Sequence, residues 1–212
     1  LPANATRQLP RQLNEIVRAT AQFQSAAAAG KLFRLPTGDG MVLVFRENPE
    51  APVRCALEIC RALRGQPRIE LRMGIHSGPI NEVTDVNERE NIAGAGINFA
   101  QRVMDCGDAG HILLSKHVAE DLEHYAHWQP YLHDLGTFEV KHGALISLVN
   151  LYNDEAGNPA LPAKFPQSRA PRHGRPLVER SGLRPTSLLL PLIAFGVLLV
   201  AGFWFVSRPA PS

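Results

Sequence analysis

Cysteine is scarce in this chain: Cys55, Cys60 and Cys106 are the only three in 212 residues. Their spacing matches neither a disulfide framework nor a thiolate metal site. Cys55 and Cys60 would lie on different faces of one helix, so small buried hydrophobes in a reducing compartment is the expected role. A phosphate loop of the Gly-x-x-x-x-Gly-Lys-Ser/Thr type is missing, and no repeat period is present. A large excess of charge is missing too. Lys and Arg number 22 against 20 Asp and Glu, which excludes nucleic-acid binding by charge. The first residue is Leu1, and no basic-then-apolar leader follows it. The chain is therefore expected to be a piece of a longer protein, with further sequence after the linker-like Arg208–Ser212 end.

The small net charge hides an asymmetry. Residues 1–152 hold 15 basic and 17 acidic side chains, and the remainder holds 7 and 3. The second group is concentrated before Ser187–Val206, a stretch of twenty residues with no charge at all. Twenty residues of helix reach about 30 Å, the thickness of a bilayer core. Phe203, Trp204 and Phe205 sit near its far end, where aromatic rings favour the interface. Lys164, Arg169, Arg172, Arg175, Arg180 and Arg184 precede it with only Glu179 opposing them, whereas Arg208 alone follows. The expectation is one transmembrane helix over 187–206, with the N-terminal side in the cytoplasm and an extracytoplasmic stub at 207–212. The six prolines between Asn153 and Thr186 mark a basic linker over 153–186.

Residues 1–152 are long enough for one domain with a real core. Residues 8–26 read as a helix with Leu9, Leu13, Ile16 and Val17 on one face. Two apolar runs, Lys31 to Leu35 and Met41 to Phe45, flank Pro36-Thr37-Gly38-Asp39-Gly40 and predict a hairpin. A helix over 52–63, a strand over 70–76, a polar loop over 81–91 and a helix over 95–104 follow. A strand at 111–114, a helix at 116–125 and strands at 132–140 and 145–152 complete the series. Helices alternating with strand pairs predict an α+β fold with a mixed or mostly antiparallel sheet.

Several short segments could carry chemistry. Asp39 is an ordinary Asp-Gly turn residue, and equally a carboxylate on a rigid turn that suits a hard divalent cation. Asn98 and Arg102 are four apart and share a helix face behind Gly94-Ala95-Gly96. An amide and a guanidinium so placed suit a polyphosphate, and equally a solvated surface. Lys141, in the turn Val140-Lys141-His142-Gly143, offers a cation between the last two strands.

Four motifs occur in order: Gly38-Asp39, then Gly74-Ile75-His76-Ser77-Gly78, then Gly94 through Arg102, then Gly110-His111-Ile112-Leu113-Leu114-Ser115. In this order they resemble the catalytic domain of the class III nucleotide cyclases, over roughly residues 8 to 152. The resemblance implies a ferredoxin-like core with a mostly antiparallel sheet and a head-to-tail homodimer with two shared active sites. It implies two Mg²⁺ or Mn²⁺ ions and a nucleoside triphosphate substrate, whose ribose 3′-oxygen attacks the α-phosphate and expels pyrophosphate. By position, Asp39 matches the second metal aspartate, Asn98 and Arg102 the transition-state pair, and Lys141 the lysine at the terminal phosphates.

Two departures from the family pattern stand out. The first metal aspartate belongs to a strand before the first helix, and this chain starts after that strand. The chain is therefore expected to lack half the metal site and one central strand, and to be inactive as it stands. The base-recognition positions hold Leu35 and Asn91, where adenylate-specific members place a lysine and guanylate-specific members a glutamate at the first. Leucine has no hydrogen-bonding group, and asparagine donates and accepts, so the pair does not choose between ATP and GTP. The expected function is a membrane-tethered cyclase of signal transduction. The alternative is a degenerate cyclase-like domain that dimerises or binds nucleotide without turnover.

Overall fold

The computed structural model describes residues 3–37, 40–46, 48–66, 69–84, 90–140, 144–165 and 195–203. The chain starts with two helices, α1 (Ala3–Ala19) and α2 (Ala21–Ala28). The single helix expected over 8–26 is broken at Thr20, whose hydroxyl donates to the Val17 carbonyl at 2.8 Å and accepts from the Phe23 amide at 3.4 Å. A side chain that offers the backbone these local bonds favours a helix start over a helix interior. Leu13, Val17 and Phe23 are buried, which confirms the apolar face.

Strands β1 (Leu32–Thr37) and β2 (Gly40–Arg46) form the predicted hairpin, paired from Leu32↔Phe45 to Thr37↔Gly40. Helix α3 (Ala51–Leu63) carries Pro52 in its first turn, where the missing amide hydrogen costs nothing. Strand β3 (Leu71–Pro79) leads to β4 (Asn81–Thr84) and β5 (Glu90–Ala93). These last two pair antiparallel, so the polar stretch read as a loop is a separate two-stranded hairpin. Its charged sequence lacks the apolar alternation that marks a half-buried strand. Helix α4 (Ala95–Asp105), strand β6 (Ile112–Ser115), helix α5 (Lys116–Glu123) and the hairpin of β7 (Leu132–Val140) and β8 (Ala144–Leu151) follow.

The seven-stranded sheet has the order β1-β2-β9-β3-β6-β8-β7, where β9 is Phe195–Phe203. It is mixed. β3 and β6 pair in parallel through Met73↔Ile112 to Ile75↔Leu114, because α4 carries the chain back before β6 begins. The remaining neighbours are antiparallel. The expectation of a mostly antiparallel sheet is corrected by that parallel pair near its middle.

β9 is the larger correction. The segment read as half of a membrane helix is here a central strand, antiparallel to both neighbours. No helix among the described residues is long and apolar enough to cross a membrane. The physical reason lies in the run Phe-Gly-Val-Leu-Leu-Val-Ala-Gly-Phe. A continuous apolar run suits a strand buried on both faces as well as it suits a helix in lipid. Positions 187–194 and 204–206 lie outside the described residues.

The chain's packing on the domain continues past residue 152. Phe165 is buried and stacks on Phe138 with ring centroids 3.7 Å apart. The Ala163 amide donates to Asp108 Oδ2 at 2.6 Å, and Arg61 Nε pairs with Glu155 at 2.8 Å. Buried His111 donates from Nε2 to the Ala160 carbonyl at 2.8 Å, while its Nδ1 accepts from the Asp108 amide at 3.0 Å. Residues 153–165, read from sequence as the start of the linker, are therefore a strap on the globular part. Proline content marked a linker but could not show what those prolines rest on.

Candidate active site

The central feature is α4 lying across β3. Gly74, in the middle of β3, is where they touch: a Cβ there would sit 2.7 Å from both the Ala100 carbonyl oxygen and Met104 Cα. Those are backbone atoms and have no rotamer to yield. A Cβ on Gly96 would likewise meet the Pro79 carbonyl oxygen at 3.0 Å. The glycines of these two motifs thus let helix and strand backbones approach each other.

With Gly96, Ala100, Val103 and Met104 buried against the sheet, the opposite face of α4 must point outward. Asn98 and Arg102 are on it, both exposed and one helical turn apart. The structure therefore brings this pair together on a rigid, solvent-facing surface. Among the described residues nothing consumes the Arg102 guanidinium's planar donor array, the property that suits Arg to phosphate.

Leu35 lies on β1 opposite Val42 and is half-buried. It packs on a small apolar cluster with Val42, Val44, Ile80, Ile92, Ala100 and Met104. Asn91 is on β5 opposite Val83, next in sequence to Ile92 of that cluster. The two positions expected to flank the base are thus on neighbouring elements. An open groove of about 640 Å³ also has Leu35 in its wall, along with Arg34, Met41 and residues of α1, but neither Asn98 nor Arg102. Among the described candidates, Leu35 and the Asn98–Arg102 pair do not share this groove.

Asp39 and Lys141 lie outside the described residues; in the sequence they fall between β1 and β2 and between β7 and β8. Among the described residues there is no group of three or more His, Cys, Asp or Glu that could hold a metal ion. β9, which borders β2, carries no carboxylate. The described residues alone do not make a two-cation site.

Sequence reasoning missed the role of His76. Its Nδ1 lies 2.9 Å from Ser115 Oγ, and its ring packs on Phe99 at 4.3 Å between centroids. The side chain pins β3, β6 and α4 together. Two of the motifs, the one ending Gly78 and the one ending Ser115, meet at this bond, so their pairing was visible in outline. Burial, helped by nearby His117, pushes the His76 pKa down to about 4, so the ring is neutral near pH 7. A lowered folded-state pKa means that stability is complete above about pH 6.5 and is lost as pH falls from there through about 4. The ceiling is about 3 kcal/mol, and solvent at the half-open ring reduces the expected loss to about 1–2 kcal/mol. Denaturant titrations at pH 7 and pH 4.5 should show that loss in the native chain and less of it in His76→Gln.

Solved structures share this fold. An adenylate/guanylate cyclase/hydrolase from Silicibacter pomeroyi is 26% identical, over 73% of this chain and 91% of its own, with a TM-score of 0.51. The fold is that of a class III nucleotide cyclase catalytic domain. The adenylyl cyclase CyaB from P. aeruginosa superposes at TM-score 0.52 with 19% identity, over 74% of this chain and 88% of its own. The guanylate cyclase domain of RhGC from Catenaria anguillulae, solved with GTP, does so at 0.57 with 17% identity, over 74% and 87%. Neither a protein-family model nor a curated protein sequence matches the chain. The cyclase core is a mixed α+β fold, as expected from the four motifs.

Proposed function

We propose that this domain serves a nucleotidyl cyclase that converts ATP or GTP to the 3′,5′-cyclic nucleotide and pyrophosphate in signal transduction. The observation that carries the reading is the exposed Asn98–Arg102 pair, held rigid by the glycine contact of α4 with β3. Such a pair pointing away from its own subunit suits an active site shared between two copies. Asn98 and Arg102 would then steady the ribose and phosphates bound by the other copy. Positioning and charge stabilisation are the main demands of this reaction, and fixed donors meet both. Asp39 is the carboxylate assigned to Mg²⁺ or Mn²⁺, Lys141 the cation at the terminal phosphates, and Leu35 and Asn91 the walls beside the base. The domain works on the cytoplasmic side of the inner membrane, tethered through 187–206 when that stretch is outside the sheet, with 166–186 as the link and 207–212 beyond the bilayer. With β9 in place the chain has no carboxylate on that central strand, and it makes no product alone.

A second reading is favoured by Leu35, half-buried among aliphatic side chains and unable to hydrogen-bond a purine. On that reading the domain binds nucleotide or dimerises without turnover. Thermal unfolding with Mn²⁺ and ATP or GTP tests what the two share. Ligand at a hundred times its Kd stabilises by about 2.7 kcal/mol, a rise of several degrees. Arg102→Ala should abolish most of the rise. A native chain whose midpoint ignores every nucleotide contradicts both readings and leaves an interaction domain. Clear cyclic nucleotide formation by the chain alone contradicts its inactivity.

A further inference from the structure

The occupant of the sheet's central slot is the element least bound to it by chain connection. β1, β2, β3, β6, β7 and β8 follow one another within residues 32–151, whereas β9 returns from position 195. The strap on the globular part ends at Phe165, and residues 166–194 lie between it and β9. Twenty-nine residues can span about 100 Å when extended.

Its pairing is extensive. β9 matches β3 at nine positions, from Leu71↔Phe203 to Pro79↔Phe195. It matches β2 at six, from Met41↔Ala201 to Arg46↔Gly196. β2 and β3 therefore have this strand as their shared backbone partner. The same nine residues belong to a twenty-residue stretch with no charge, preceded by six basic residues and one acidic one. In lipid, a backbone is satisfied only as a helix or a closed barrel. As a strand, the segment uses the same amide and carbonyl groups on β2 and β3. The two arrangements exclude each other, because each N–H donates to one place at a time.

We propose that Phe195–Phe203 is an exchangeable strand with two hosts, the slot between β2 and β3 and an anionic lipid bilayer. In water the slot is the only host, and the segment completes the sheet. At a bilayer the basic flank is drawn to anionic head groups, the uncharged stretch inserts, and the slot opens. Opening exposes two strand edges that face each other and are both antiparallel to any strand of β9's direction. The slot is then available to another segment, and the bilayer acts as the switch. This inference rests on the pairing of β9 and on its sequence, and it stands apart from the cyclase reading.

Cysteine cross-linking in the full chain tests it. The chain carrying Ser77→Cys and Val197→Cys, directly opposite on β3 and β9, is made by cell-free translation with or without vesicles of phosphatidylglycerol and phosphatidylcholine. The pair Ser77→Cys and Ala201→Cys, four residues out of register, is the control. Burial raises the Cys55 and Cys60 thiols to about 11, so the native cysteines compete little for oxidant, and peptide mapping identifies the bond. In buffer the first pair should link within one chain and the control should not. Vesicles should lower the yield at least tenfold. In the unsubstituted chain, amides of β2 and β3 should exchange at least tenfold faster with vesicles than without. A first pair that fails to link in buffer, or a yield and amide exchange indifferent to vesicles, overturns the proposal.

Discussion

Leu199→Pro should destabilise the domain by about 3 kcal/mol, lowering its unfolding midpoint by roughly 10 °C. Leu199 sits in the middle of β9, opposite Leu43 on β2 and Ile75 on β3. A proline there removes one ladder donor, leaves its acceptor unpaired in the sheet interior and forces its ring against a neighbouring strand. Leu43 and Ile75 are 1% and 0% exposed, so water cannot repair the loss. The contrast with a membrane helix is sharp. Proline is tolerated in lipid-embedded helices, and a segment outside the sheet would leave the domain's denaturation curve unchanged. Chemical denaturation of both chains in vesicle-free buffer decides between these.

Most of the fold was legible because most of its elements announce themselves locally. The Pro36–Gly40 turn between two apolar runs, Pro52 opening α3, and the Leu71, Met73, Ile75 alternation each report a nearest-neighbour rule. What failed was long-range or ambiguous. Val197 to Val200 carry no period that separates a doubly buried strand from a helix, and their partners on β2 and β3 are more than a hundred residues away. The β4–β5 hairpin hid because its sequence is mostly polar. Phe165 looked like linker because its partner Phe138 is on another element. At the site, spacing alone placed Asn98 and Arg102 on one face. It could not say which backbone Gly74 and Gly96 admit; the packing of α4 on β3 shows that each admits the other's element.

The central claim is that this chain carries the Asn98–Arg102 half of a shared cyclase active site. Joining it in tandem to a class III cyclase subunit isolates that half. The partner should keep both metal carboxylates and have its own asparagine and arginine replaced by alanine. Arg102 is exposed on a helix anchored by backbone contacts, so Arg102→Ala changes charge and donors without disturbing the packing of α4. Fixed donors of this kind are worth about 10²–10³ in turnover. The measurement is cyclic nucleotide formed from ATP and from GTP with Mn²⁺. The account predicts product from the native tandem and a drop of at least a hundredfold in Arg102→Ala. A tandem that stays silent, or one whose rate is the same with and without Arg102, would contradict it.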